Sequence, residues 1–170
     1  MASLVEELIT VLEEEEKLYQ TLIDYAKQKR EILIKADVPA LEKLTVFEQL
    51  ASDDLLALSN RQAQALKDVA SVLGKGEKAI TVTELVGMLS AQPEIQQKLD
   101  EAKNKLLAAA GEANQLNKQN EVLITQAMEL TQFDITLFKS LRQAPETANY
   151  NRNAYNTGSI LGSSGFDAKQ

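Results

Sequence analysis

Histidine, cysteine and tryptophan are absent from this chain, and its 170 residues include only three prolines and seven glycines. Without imidazole or thiol there is no Ser-His-Asp or Cys-His nucleophile system. Thiolate or imidazole zinc sites are excluded, as are the Glu-x-x-His pairs of di-iron bundles and a phosphorelay histidine. No catalytic, cofactor or metal site is expected, and the chain does not read as an enzyme. Disulfides are unavailable, so cysteine usage says nothing about an oxidising compartment. Long apolar runs are missing too: none approaches the roughly 20 residues of a membrane span. Positive charge is in deficit, with 18 Lys and Arg against 25 Asp and Glu, a net charge of −7. That balance argues against nucleic acid or an anionic membrane as the main partner. The first residues are acidic where a secretory signal would be basic, so a cytoplasmic location is expected.

What the sequence does contain is helix. Pro39, Pro93 and Pro145 are widely spaced, and the stretches between them carry apolar residues at alternating steps of four and three. Ser3-x-x-Glu6 reads as a capping box. Leu4, Leu8, Val11, Leu18, Leu22, Tyr25, Ile32 and Ala36 then form a heptad seam broken at Glu15 and Lys29. This helix is expected to end near Ala36, with Asp37 capping the next and Pro39 in its first turn. The second helix repeats the spacing from Leu41 to Val72, broken at Glu48 and Gln62, and stops at Gly74-Lys75-Gly76. The very short connection between the two favours an antiparallel hairpin over one bent rod. A short element follows, with a capping box at Thr81-x-x-Glu84. The last helix is expected over roughly Glu94 to Leu141, its seam broken only at Asn120 and Asp134. The fold class is therefore all-α: an elongated antiparallel hairpin and coiled-coil bundle of three long helices plus one short one. The organisation expected is a helical bundle over residues 1–142 and a flexible, polar, Asn- and Ser-rich tail over 143–170.

Five features bear on function. The late part of the last helix carries a doubled stripe. Beside the seam leucines run Ile124, Met128, Thr131, Ile135 and Phe138, and Phe133 adds to the apolar total. Together they cover about half the circumference, more than one antiparallel neighbour needs. Either the segment sits centrally among three helices, or it leaves a surface for a partner's amphipathic helix; Met128 suits the latter because a thioether repacks easily. Ala108-Ala109-Ala110-Gly111 reads first as a thin packing layer and second as a hinge. The run Glu13–Glu16 reads first as a solvated face and second as a dock for a basic partner. Asn114, Asn117 and Asn120 read as register-setting polar residues. Tyr150 and Tyr155 lie in a segment with no evident core, where an aromatic serves either as a pocket anchor or as an incidental linker residue.

These pieces, in this order and at this length, resemble the FlgN family of flagellar type III export chaperones. The likeness rests on three segments. The first is the acidic leading helix, continuing into Ala36-Asp37-Val38-x-x-Leu41-x-x-Leu44. The second is Leu116-Asn117-x-x-Asn120-x-x-Leu123-Ile124, followed by Met128, Phe133 and Leu137. The third is Tyr155-Asn156-Thr157-Gly158. The resemblance implies a cytoplasmic chaperone that binds C-terminal helices of the hook–filament junction proteins FlgK and FlgL. It would prevent their premature assembly and deliver them to the export gate protein FlhA. The family's client site implies Ile124, Met128, Phe133, Ile135 and Phe138 as binding residues. Its gate-docking tyrosine implies Tyr150 or Tyr155. A chaperone for another flagellar client, such as the cap protein, and a client-free structural oligomerisation module are the alternatives. Homo-oligomerisation is compatible with all three.

Overall fold

The computed structural model describes residues 2–75 and 80–143, and all regular structure in them is helical. Helices α1 (Ala2–Lys35), α2 (Val38–Val72), α3 (Val82–Met88) and α4 (Pro93–Gln143) follow in order, as an all-α reading requires. The chain divides into two compact units, Met1–Thr125 and Gln126–Gln170. Of the second, residues 126–143 are described, and they are helical throughout.

The first unit is built on α1. Its expected capping box does not form: α1 already begins at Ala2, so Ser3 lies inside the first turn. Alanine is the best helix former, and the helix simply starts one residue earlier. At the other end the Asp37 amide donates to the Ile32 carbonyl (3.1 Å) and the Ala36 amide to Leu33 (3.2 Å), with Ala36 at φ 52°. This is the left-handed helix ending usually given to glycine. Asp37 then caps α2, its Oδ1 accepting from the Ala40 amide at 3.1 Å, and Pro39 occupies the first turn. α2 ends the same way. Gly74 sits at φ 68°, and the Lys75 amide donates to the Ala70 carbonyl at 3.0 Å.

The tight turn folds α2 back along α1. Arg61 pairs with Glu14 at 2.9 Å, Lys29 with Glu48 at 2.5 Å, and the Tyr25 and Phe47 rings lie 6.3 Å apart. Numbers rise on one helix as they fall on the other, so the pair is antiparallel. α4 lies on α1 in the opposite sense. Lys27 pairs with Glu112 at 3.4 Å, the Asn120 amide donates to the Ala26 carbonyl at 2.8 Å, and Ala109 and Ala113 pack on Ile23. Leu8 and Leu12 share a core with Leu99 and Ala102, Ile23 packs on Ala109 and Ala113 farther along, and Ala26 meets Asn120 beyond that, so α1 and α4 run parallel.

The main core gathers Val5, Leu8 and Leu12 of α1, Ala65 and Val69 of α2, and Leu99 and Ala102 of α4. α3 closes it with Leu85, which is fully buried, and Leu89. The Thr81–Glu84 capping box that starts α3 does form: Thr81 Oγ1 accepts from the Glu84 amide, and Glu84 Oε2 from the Thr81 amide. The Gln96 side chain donates to the Val86 carbonyl at 2.8 Å and ties α4 to α3.

Gly74 and Gly111 invite the same substitution with opposite outcomes. A methyl group meets nothing within 4 Å at either position, so backbone conformation alone decides. Gly74→Ala places a Cβ in the left-handed region and is expected to cost about 1–2 kcal/mol. Gly111→Ala removes a glycine from a helix interior and is expected to stabilise by up to about 1 kcal/mol. Urea unfolding of the two variants checks both signs.

Candidate functional site

Two surfaces stand out, one in each unit. In the second unit the apolar side chains of α4 are exposed. Met128 is 69% exposed and Ile135 44%, with Leu130, Phe133, Leu137, Phe138 and Leu141 between these values. At 100° per residue, Met128, Ile135 and Phe138 fall within an arc of about 80°, and Leu130, Leu137 and Leu141 form a second line roughly 130° round. Phe133 flanks the second line, so apolar side chains occupy more than half the circumference. The expectation that this segment is covered among three helices is therefore not met. Within the first unit the seam is half-buried as far as Leu123 and Ile124, and the described side chains of the second unit are exposed. Lys139 and Arg142 share the face of Met128, Ile135 and Phe138, and the Arg142 guanidinium lies 5.8 Å from the Phe138 ring centre.

The sequence-predicted site residues separate accordingly. Met128, Phe133, Ile135 and Phe138 belong to the second unit. Ile124 belongs to the first and is half-buried. Tyr150 and Tyr155, with the whole of 144–170, lie outside the described residues.

The second surface is a groove in the first unit, between α2 and α4 and floored by α1. One part has a volume of about 740 Å³, and the adjoining part about 480 Å³. They share Tyr19, Ser52, Leu55 and Ala110, so the groove is continuous. Ile124 lines its far end, beside Asn117 and Asn120. The near end is lined by leucines, serines and Gln62 over a single charged residue, Glu15.

Glu15 is 4% exposed and has no hydrogen-bond or ion-pair partner among the described residues. Burial pushes its carboxyl above the ordinary carboxylate range. The neighbours in the acidic run are satisfied: Glu14 pairs with Arg61, and Glu16 accepts from Gln20. Three of the four thus behave as a solvated face, and Glu15 does not. The groove went unrecognised in the sequence, although its signal was there. All five polar residues that break the seams within this unit (Glu15, Lys29, Glu48, Gln62 and Asn120) line it.

No group of three or more acidic side chains suited to a metal ion occurs among the described residues. No helix of the described residues is long and apolar enough to cross a membrane. The geometry suits helix–helix binding.

The family model for FlgN protein matches residues 1–158. No curated protein and no solved structure shows significant similarity to the chain. The match covers most of the sequence, and the chain belongs to the FlgN family. This is a chaperone family, and the chain's role is accordingly in flagellar export, binding export substrates.

A pH experiment isolates the Glu15 charge. Its folded-state pKa lies above the unfolded value, so its contribution to stability is fully present below the ordinary value of 4.5 and is lost as pH rises through the folded value. Glu15→Gln is expected to raise the thermal midpoint at pH 7, with the gain vanishing below pH 4.5. Calorimetry of parent and variant across that range checks the sign.

Proposed function

We propose that this FlgN-family chaperone acts in the cytoplasm on the hook–filament junction proteins FlgK and FlgL, using the exposed stripe of α4 as its client surface. The observation that carries the reading is the exposure of seven large apolar side chains between Met128 and Leu141. Contiguous apolar surface on this scale marks an interaction site rather than ordinary surface. A client's C-terminal amphipathic helix, laid along Met128, Ile135 and Phe138, buries its own apolar face and can no longer self-associate. Met128 gives the surface adaptability and Phe138 supplies an aromatic anchor on that face, while Phe133 offers one on the second line.

Delivery follows from reversibility. A client segment that orders only on binding spends part of its interaction energy on that ordering, which keeps the complex releasable. The export gate protein FlhA is the proposed receiver. Tyr150 or Tyr155 is the proposed docking residue, each carried by a segment separate from the client stripe.

Met128→Asp, Ile135→Asp and Phe138→Asp each place a charge on the client face without touching the first unit's core. Each is expected to weaken binding of a FlgK or FlgL C-terminal peptide by about tenfold or more. Unfolding midpoints should stay within about 0.5 kcal/mol of the parent, as for ordinary surface substitutions. Titration calorimetry with junction-protein and cap-protein peptides measures the first effect and identifies the client. Undiminished junction-peptide binding by all three variants would falsify the site.

A further inference from the structure

The client face of α4 is charged at one end only. Met128, Ile135, Phe138, Lys139 and Arg142 fall within an arc of about 100°, at 100° per residue. The acids described in the second unit, Glu129 and Asp134, lie about 80° and 40° beyond the edges of that arc. Both cations stand about 16 to 21 Å from Met128 along the helix axis. In a chain of net charge −7, this face thus carries two positive charges and no negative one. Neither cation has an ion-pair partner among the described residues. The Arg142 guanidinium lies over the Phe138 ring, 5.8 Å from its centre, so it is held on the apolar surface. Arg142 belongs to the last turn of α4, where a cation offsets the helix's own dipole. Lys139 lies before that turn, and the dipole alone does not call for it.

We propose that Lys139 and Arg142 read the direction of the docked client helix: they bind its terminal carboxylate, and the client helix runs parallel to α4. This direction rests on the α4 stripe being the client surface and adds the group that is recognised there. The C-terminal end of a helix carries about half a negative charge on its open carbonyls, and a free chain end adds a full one. These meet the cations when the client's last residues lie level with Lys139 and Arg142 and its earlier turns cover Ile135 and Met128. In the opposite direction the client helix's open amides face the two cations. Its carboxylate then lies beside Met128, which has no proton to donate. A guanidinium takes both carboxylate oxygens at once, and the lysine adds a point charge.

Selectivity follows from the same geometry. A helix with an equivalent apolar face in mid-chain has no terminal carboxylate, so the cations favour the true end of a client over an internal segment. Charge pairs at an exposed rim add little affinity and more specificity, which suits a complex that has to be released.

The full chain is titrated with a junction-protein C-terminal peptide of about 20 residues, long enough to span the stripe, made once with a free carboxylate and once with a terminal amide. The free carboxylate is expected to bind about fivefold tighter at low salt, with the advantage falling below about twofold in 1 M salt. The double variant Lys139→Gln, Arg142→Gln is expected to bind both peptides alike, with its thermal midpoint unchanged. Equal binding of the two peptides by the parent overturns the proposal, as does an advantage that the double variant keeps. The absence of cysteine allows direction to be read separately. A peptide with cysteine next to its last residue is expected to cross-link to Phe138→Cys and not to Met128→Cys, and the reverse preference overturns the parallel arrangement. Ile135→Asp separates this proposal from the client surface itself. Loss of both peptides in that variant, with amidation costing nothing in the parent, defeats only the carboxylate recognition. Full binding by that variant defeats the client surface and the recognition together.

Discussion

The first unit depends on the height at which α4 lies along α1. That height is set by a buried amide, Asn120, donating to the Ala26 backbone carbonyl. A leucine there would be satisfied one turn up or down. An amide buried beside hydrocarbon is satisfied only where an acceptor waits, and a missed hydrogen bond costs about 1–3 kcal/mol. Ala109 and Ala113 pack on Ile23 in the turns before it. Lys27 and Glu112 add an exposed ion pair of small energy, and it contributes more to register than to stability.

Once α1 is committed to α2 on one side and α4 on the other, the space between α2 and α4 becomes the open part of the unit. Its walls are not a failed seam. At every heptad break within the unit a polar residue faces this space. Lys29 and Glu48 satisfy each other there, Asn120 bonds to the α1 backbone, and Glu15 is left with its charge partly desolvated. A protein optimised only for stability would place leucine at Glu15.

Much of this was legible in the sequence. Heptad spacing predicted the helices, the very short connection between the first two the hairpin, Asp37 and Pro39 its turn, Thr81 and Glu84 the start of α3, and Gly74 the end of α2. Each depends on local chemistry, which a sequence displays directly. The start of α1 was misplaced by a capping signal that alanine propensity overrode. The stripe of α4 was visible as a doubled row, but periodicity alone does not say whether an apolar face is covered, because that depends on which helices lie beside it. The groove escaped for the same reason. Glu15 and Gln62 looked like isolated interruptions on separate helices, and only the hairpin register brings them to one level.

The contact between Asn120 and Ala26 joins residues 94 apart in the chain, and this separation has a consequence for the order of assembly. The α1–α2 hairpin closes over a two-residue turn and forms from nearby contacts. Parallel pairing of α4 with α1 requires the whole of α2 and α3 to be looped out first, and such closures are slower. During synthesis α1 and α2 are complete before α4 exists, so the hairpin is the template on which α4 is laid. The helix that carries the exposed stripe is thus the last to be fixed in place.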